Sequence, residues 1–408
     1  MQRGMNSNEM QKNNRLLVLR TLLREGSMTR TQLAAYLNLQ KATMTNIIND
    51  FFEMGIVEID GDAAAGRRGE KIRLCMDQVF IMSIGVTRKD YQFSVFTLYG
   101  KTVRHIRCPF SKTEDMAEVL KRIKADGQLL LEEFGTDRVI GVCLAVPGLF
   151  INRPERKEEI FMVSEFEQLS RVDLHGELER ALGKKILIKH DAKLSAYAEW
   201  RCAREVQNIE RASMAVIRSR GYGIGVGFIV NGKIMNGHLG LAGEVGYVGI
   251  NYNESGRGGS RAGTLEYQAG TESVTRYVRE RLFDFPESPL KENSTYGEVL
   301  EAYYRRDPLA VWAIGKMAWM LGYGIANIIY TVNPDCIIIG PDYPENAEFL
   351  KMVRDSIRKC VPPYVEECTT IRYSELSDDS FMLGGYYYTL ETLCEKEDIF
   401  ALIRKALG

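Results

Sequence analysis

The first part of the chain carries apolar residues at the three- to four-residue spacing of amphipathic helices. In residues 13–26 this spacing predicts a helix that ends at a glycine, with the apolar positions Leu16, Leu19, Leu22 and Leu23. Thr29 and Gln32 match the pattern of a capping box and open a second, short helix. After a tight turn, residues 41–55 predict a third helix with one apolar face, formed by Met44, Ile47, Ile48 and Phe51.

The opposite face of the third helix is polar and mostly uncharged. Short amides and hydroxyls on such a face suit base edges in the major groove of DNA. The candidate DNA contacts are Gln40, Lys41, Thr43, Thr45 and Asn46. The same apolar spacing fits any three-helix module, and helix-turn-helix folds also serve protein contacts, so this face alone leaves both interpretations open.

The segment after the third helix is typical of a wing. Residues 56–60 and 71–75 alternate like strands, and the glycine- and alanine-rich stretch between them carries Arg67 and Arg68. Arginines at a wing tip can enter a minor groove or bind phosphates. The alternative is a solvated basic loop. Helix, turn, helix and basic wing in this order favour a winged helix-turn-helix that binds operator DNA.

After about residue 78 the pattern changes to strands. Residues 79–108 predict three strands joined by turns, and residues 213–237 repeat this plan with a hairpin turn at Asn231–Lys233. Alternating helices and strands follow each group. Two βββαβα halves imply an α/β body of two mixed sheets flanked by helices, with a cleft between the halves, which is the architecture of the actin-like sugar kinases.

These patterns divide the chain into a winged helix-turn-helix domain and a larger body. The predicted ranges are 1–77 for the head and 78–408 for the body, with one lobe at about 78–205 plus the C-terminal return and the other at 206–390. Through Leu74, eleven lysines and arginines face eight aspartates and glutamates, whereas the whole chain has a net charge of −1. A basic head on a mildly acidic body is typical of a local nucleic-acid surface, although ordinary scatter gives the same balance.

Cysteine usage and hydropathy bear on the compartment. The eight cysteines are scattered, with no C-x-x-C, and several lie in apolar runs where a thiol acts as a small buried hydrophobe. This usage suits a reducing environment. There is no run of 18 apolar residues and no signal-like start. We therefore expect a cytoplasmic protein that does not span a membrane.

Several motifs now carry a family resemblance that covers nearly the whole chain. They are "GVCLAVPG", "IKHDAKLSAYAEW", "GYGIGVGFIVNGKIMNG", "AGEVGY", "GTLE" and "VNPDCIIIG". In this order they resemble the ROK family of sugar kinases and sugar-responsive repressors, such as those for xylose and N-acetylglucosamine. The winged head resembles the repressor branch, because the kinases lack it. The resemblance implies operator DNA, a sugar or sugar-derivative effector, and a homodimer or higher homo-oligomer.

The resemblance also implies a ligand site. The family's "NDA" motif is "HDA" here, so Asp191 matches the base of the kinases, as a vestige, and His190 replaces the asparagine. The family's two glutamates match Glu244 and Glu266, with Tyr247 following the first. Ionised carboxylates accept hydrogen bonds from sugar hydroxyls. The alternatives are surface loop positions for the glutamates, a helix cap for Asp191 and a structural role for His190.

The structural zinc site of the family is absent from this sequence. Its ligand positions are Tyr247, Arg257, Gly259 and Thr264, and these residues cannot form a thiolate–imidazole zinc site. We therefore expect no metal and no cofactor. The loop is expected to be mobile unless a ligand or partner orders it, and to be held by main-chain bonds together with Arg257 or Arg261 reaching a carboxylate.

The phosphate-binding motifs of the kinases are also altered. Ser83 stands where the kinases have a metal-binding aspartate, Val86 replaces a glycine, and Tyr222 replaces a small hydroxyl residue in the second phosphate loop. Phosphoryl transfer depends on positioning and neutralising phosphates, so these changes predict no kinase activity. Two alternatives stay open: an active sugar kinase fused to a DNA-binding head, and a body that serves as a dimerisation or partner scaffold. The amphipathic tail at 390–407 is a candidate dimer surface.

Overall fold

The computed structural model describes residues 7–60, 70–111, 113–153, 156–161, 172–203, 213–220, 223–251, 261–396 and 398–408. The head consists of three helices and a three-stranded sheet in the order β1-β3-β2. Its elements are α1 (Ser7–Glu25), β1 (Met28–Thr29), α2 (Arg30–Tyr36), α3 (Lys41–Glu53), β2 (Val57–Ile59) and β3 (Lys71–Leu74).

The local signals of the head are confirmed. The side chain of Thr29 accepts the backbone N–H of Gln32, and the Gln32 side chain accepts the backbone N–H of Thr29. The four predicted apolar residues of α3 are all buried. Helix α1 begins at Ser7, earlier than predicted. Residues 9–13 are exposed, so no apolar spacing could mark this first part of the helix.

The first lobe is built on a five-stranded sheet in the order β10-β7-β4-β5-β6. Strands β4, β5 and β6 pair antiparallel, while β7 and β10 add in parallel. The β8–β9 hairpin was not predicted from the sequence. The elements are β4 (Phe80–Val86), β5 (Asp90–Thr97), β6 (Thr102–Pro109), α4 (Met116–Phe134), β7 (Val139–Val146), β8 (Leu149–Arg153), β9 (Arg156–Phe161), α5 (Leu174–Leu182), β10 (Ile186–His190) and α6 (Asp191–Cys202).

The second lobe repeats the plan with the sheet order β13-β12-β11-β14-β15. The predicted hairpin turn is confirmed, because Asn231 and Gly232 both have positive φ, at 51° and 72°. The elements are β11 (Met214–Arg220), β12 (Gly223–Val230), β13 (Lys233–Ile234), α7 (Leu265–Ala269), α8 (Ser273–Arg281), α9 (Tyr296–Tyr304), α10 (Pro308–Val332), β14 (Cys336–Ile339), α11 (Ala347–Cys360), α12 (Pro363–Glu367) and β15 (Thr370–Tyr373).

Helix α10 is long and apolar enough to cross a membrane by length and composition alone, yet 61% of its most apolar window is buried inside the protein. Its residues Met317, Leu321 and Ile325 are fully buried. It is therefore the core helix of the second lobe, packed against α11.

The chain ends with two helices, α13 (Ser380–Lys396) and α14 (Ile399–Leu407). Helix α13 returns to the first lobe and packs on α6, β4 and β7. The interpretation of the tail as a dimer surface is wrong for its apolar face. Phe400 and Ile403 are buried in a core shared with the head, and the Phe400 ring lies 5.5 Å from that of Phe51. An amphipathic helix buries its apolar face against whatever is nearest, and here that is α3 of the same chain.

Candidate functional site

The cleft between the lobes begins where β10 ends and α6 starts. His190 occupies the N-cap position of α6, and its Nδ1 accepts the backbone N–H of Ala192 at 3.1 Å. Asp191 is the first helical residue, and its Oδ1 accepts the same N–H at 2.7 Å. The expectation that Asp191 caps the helix is therefore corrected in part: His190 holds the cap position, and both side chains share one donor.

Asp191 lies in a positively charged environment. Its Oδ2 is 3.8 Å from Nη1 of Arg220. Burial alone would raise the pKa of Asp191, but His190, Arg220 and Arg218 outweigh burial and lower the pKa below its ordinary value. The carboxylate is therefore ionised at neutral pH and accepts hydrogen bonds only. Arg220, which ends β11, had no signal in the sequence.

Glu244 interacts electrostatically with Lys193, which no sequence motif singled out. Burial raises the pKa of Glu244, and His190 and Lys193 oppose this effect. Lys193 lies in α6 with 4% of its surface exposed, and its Nζ donates to the carbonyl of Gly240 at 2.5 Å. Lys193 thus attaches the glycine-rich loop to α6, and its charge acts on the Glu244 carboxylate.

The pKa of Lys193 makes a testable prediction about stability. Burial lowers this pKa from 10.5 to about 8, although Glu244 acts in the opposite direction. Between pH 8 and 10.5 the unfolded chain keeps a proton that the folded chain has lost, so the contribution of Lys193 to stability rises with pH through this window. Relative to Lys193→Met, the wild type should gain about 2–3 kcal/mol in unfolding free energy between pH 7 and pH 10. Urea unfolding at both pH values measures this gain, and a constant difference between the proteins contradicts it.

Glu266 lies on the far side of the same loop. The residue is 6% exposed, and its Oε1 is 3.3 Å from Nη1 of Arg261 without receiving a hydrogen bond from the described residues. Burial raises the pKa of Glu266, with Arg261 as the largest opposing influence. The Arg261 guanidinium also lies 5.4 Å from the centre of the Tyr247 ring. The structure thus brings Glu266, Arg261 and Tyr247 together and leaves one buried carboxylate oxygen available as an acceptor.

Close backbone contact explains the glycines of this loop. Gly243 has a φ of +100°, and a Cβ there would lie 2.0 Å from the carbonyl oxygen of Val226. At Gly246 a Cβ would lie 2.4 Å from the carbonyl oxygen of Ile224. Only glycine lets the loop approach β12 this closely, and this approach places Glu244 in the cleft.

Main-chain bonds close the base of the segment in which the sequence motifs implied the loss of a zinc site. The backbone N–H of Ile250 donates to the carbonyl of Gly263 at 2.8 Å, and the backbone N–H of Thr264 donates to the carbonyl of Arg261 at 2.9 Å. Arg261 reaches a carboxylate, as one of the two expected alternatives. Arg257, Gly259 and the loop predicted to be mobile fall in 252–260, outside the described residues. Among the residues that the structure describes, no group of three or more His, Cys, Asp or Glu could bind a metal.

The end of β4 is covered by α13. Ser83 is 1% exposed, and its Oγ donates to the carbonyl of Met382 at 2.8 Å. A Cβ at Gly85 would lie 2.5 Å from the Phe381 ring. Val86 is also buried, and Tyr222 lies outside the described residues. Position 83 is therefore enclosed by packed side chains and does not face open space in the cleft.

An arginine network joins the two lobes. Arg218 is 4% exposed and pairs with Asp342 at 2.7 Å and Asp378 at 2.5 Å. Its Nη1 also donates to the hydroxyls of Ser195 in α6 and Ser380 in α13. The only sequence signal for this network was Arg218 itself, a charged residue inside an otherwise apolar strand. Such a residue indicates a charged partner, because a buried charge requires one.

The candidate DNA contacts of the head that the structure describes lie at the start of α3. Lys41, Thr45 and Asn46 are exposed at the start of α3, Gln40 precedes them and is exposed, and Thr43 is half-buried. Thr45 Oγ1 donates to the carbonyl of Lys41 at 2.9 Å. Arg67 and Arg68 of the expected wing lie outside the described residues. The N-terminal part of α3 thus presents a continuous polar surface.

Comparison with known families agrees with this geometry. The ROK family matches residues 81–391, and the MarR family matches residues 12–58 within the head. The chain therefore belongs to the ROK family, and the family and fold class indicated by the sequence motifs are confirmed.

Individual relatives include both regulators and kinases. The xylose repressor of Caldicellulosiruptor bescii is 22% identical, over 91% of this chain and 94% of that protein. The N-acetyl-D-glucosamine kinase of Haemophilus influenzae is 27% identical, over 70% of this chain and 89% of that protein. The crystal structure of a ROK family transcriptional regulator, a homologue of the E. coli MLC protein, superposes with a TM-score of 0.77 at 19% identity, covering 98% of this chain and 100% of that one.

Proposed function

We propose that this protein is a sugar-responsive transcriptional repressor. The observation that carries the proposal is one chain that joins a winged helix-turn-helix head to a ROK body with three carboxylates at its cleft. The xylose repressor of Caldicellulosiruptor bescii matches 91% of this chain, so the matched part extends beyond the ROK body into the head. The cysteines form no disulfide within the part of the chain that the structure describes, which suits a protein that meets DNA in a reducing cytoplasm.

The head, residues 1–77, is the proposed DNA-binding domain. Gln40, Lys41, Thr43, Thr45 and Asn46 would contact the major groove, with Arg67 and Arg68 on the adjoining groove or phosphates. Two half-sites require two heads, so we propose a homodimer or higher homo-oligomer as the active form.

The body, residues 78–408, is the proposed sensor. Asp191, Glu244 and Glu266 would accept hydrogen bonds from sugar hydroxyls, with His190 and Tyr247 at the same ligand. Each carboxylate faces a cation of the protein: Arg220, Lys193 and Arg261. A sugar must therefore compete with these internal pairs for the carboxylates. It must also bind one arrangement of the lobes more tightly than the other, since equal affinity for both arrangements leaves their populations unchanged.

Fluorescence anisotropy on the DNA upstream of the protein's own gene tests this function. The protein should bind tightly at low salt, and one sugar in a panel that includes xylose should weaken the binding. Tight binding that no sugar changes would favour the alternative of a body acting as a scaffold. No binding at low salt would contradict the DNA-binding head.

Phosphate contacts by the wing are tested by Arg67→Ala together with Arg68→Ala. The double variant should bind operator DNA more weakly. Each lost phosphate contact means that fewer counterions are released from the DNA when the protein binds. The slope of log K against log salt should fall by roughly 0.9 per lost contact. An unchanged slope would place the wing away from the phosphates.

We further propose that the protein has no sugar kinase activity. Ser83 is buried under α13 and bonded to a main-chain carbonyl, so the metal-binding aspartate of the kinases has no equivalent here. A coupled assay should detect no sugar-dependent ATP consumption with any sugar of the panel. Ser83→Asp should not produce activity and should lower the melting temperature, because its carboxylate would face the Met382 carbonyl. Turnover by the wild type would favour the fused-kinase alternative.

A further inference from the structure

Helices α13 and α14 connect the cleft to the DNA-facing helix of the head. Helix α13 has 17 residues and therefore spans about 25 Å. We propose that these two helices transmit the state of the cleft to α3 and so set the affinity for operator DNA. The proposal rests on the proposed function, since it takes the cleft as the sensor and the head as the DNA reader.

The first turn of α13 lies against a cleft arginine. The guanidinium of Arg220 lies 4.6 Å from the centre of the Phe381 ring and donates to the carbonyl of Asp378 at 2.5 Å. The other side of the same guanidinium is 3.8 Å from Asp191. A ligand bound at Asp191 must compete with Arg220, and any movement of Arg220 changes its contact with α13.

The middle of α13 is packed too tightly to slide without its neighbours. A Cβ at Gly384 would lie 1.9 Å from the carbonyl oxygen of Leu194 in α6, and a Cβ at Gly141 in β7 would lie 2.4 Å from Thr389. The Oγ of Thr389 also donates to the carbonyl of Gly385. Such packing transmits displacement, because interiors have little free volume to absorb it.

The C-terminal part of α13 and the helix α14 pack against the head. Arg20 of α1 pairs with Glu391 of α13 at 2.5 Å. The ring of Phe400 in α14 lies 5.5 Å from the ring of Phe51, at an interplanar angle of 36°, and Phe51 lies on α3 itself. Both rings are buried in one core that runs from the head through α13 and α14 into the first lobe. A shift of α13 and α14 therefore changes the position of α3 relative to the body. Packed interfaces of this kind move between discrete arrangements.

The test perturbs the cleft end and measures the head, with no sugar present. Arg220→Gln should change hydrogen–deuterium exchange of backbone amides in α14 and α3 and change the operator Kd at least threefold. Arg276→Gln is a matched control. Its guanidinium lies 4.1 Å from the Tyr267 ring centre, its side chain is 20% exposed against 23% for Arg220, and its bonds run to Glu280 and Tyr267 within the second lobe. Unchanged exchange in α3 of Arg220→Gln, or an equal change in Arg276→Gln, overturns the proposal.

A double-mutant cycle tests the route. Glu391→Gln removes the ion pair with Arg20, so the effect of Arg220→Gln on α3 should be smaller in this background than in the wild type. Strict additivity of the two changes would mean that the signal does not pass through α13. Arg220→Lys, which keeps the charge, and the melting temperature of each variant separate a local effect from loss of folding. Since no sugar is added, a body that binds no sugar would defeat the proposed function and leave this result standing.

Discussion

Replacing Arg218 by alanine is expected to destabilise the protein by about 3–5 kcal/mol, because the substitution leaves the buried carboxylate of Asp342 without its arginine partner. Asp342 is 10% exposed and lies 2.7 Å from Arg218 Nε. The same arginine joins the second lobe to α6 and α13. Urea unfolding at pH 7 measures the loss, and the transition should also become less cooperative as the lobes separate.

Arg305→Ala is the control for this prediction. Arg305 is 80% exposed and 3.7 Å from an exposed Glu301, so its removal should change stability by less than about 0.5 kcal/mol. Adding Asp342→Asn to Arg218→Ala should recover part of the loss, because it removes one unpaired charge. Equal stabilities for the two arginine variants would show that the network does not join the lobes.

Replacing Glu244 by glutamine should abolish most of the response to sugar. The substitution keeps the shape of the side chain and removes a charged acceptor, and a hydrogen bond to a charged group contributes about 1.5–3 kcal/mol. The affinity for the responding sugar should therefore fall by roughly 10- to 100-fold. Isothermal titration with that sugar measures the change directly.

The matched control is Glu301→Gln on α9, where the side chain is 72% exposed. Its sugar affinity should equal that of the wild type. An unchanged sugar affinity in Glu244→Gln would remove Glu244 from the site and with it the proposed role of the glycine-rich loop.

Much of the fold was predictable because its signals are local. The capping box at Thr29 and the hairpin turn at Asn231 each depend on residues within four positions of one another. The packing of α14 against α3 was not predictable. The apolar face of α14 shows that this face must be buried, but not which element covers it. The β8–β9 hairpin has charged residues in both strands, so alternation did not reveal it.

The candidate ligand site was likewise only partly predictable from the sequence. Motif resemblance singled out Asp191, Glu244 and Glu266. In the structure Glu244 lies near enough to Asp191 and to Glu266 for their charges to interact, and the role of the three residues in ligand binding stays a prediction. Motif resemblance did not identify Lys193 or Arg220, whose roles come from partners distant in the sequence. In the sequence Lys193 is an ordinary polar residue of a helix. Only the structure shows that it is 4% exposed and bonded to the carbonyl of Gly240 in the glycine-rich loop.

The most direct measurement compares sugar affinity for the free protein and for the protein bound to its operator. If the sugar releases DNA by binding at the cleft, linkage requires that operator DNA weaken sugar binding by the same factor by which sugar weakens DNA binding. We predict a matching loss of sugar affinity, typically 5- to 150-fold, for the operator complex in isothermal titration. Equal sugar affinity for the free protein and the complex would contradict a sugar-responsive repressor.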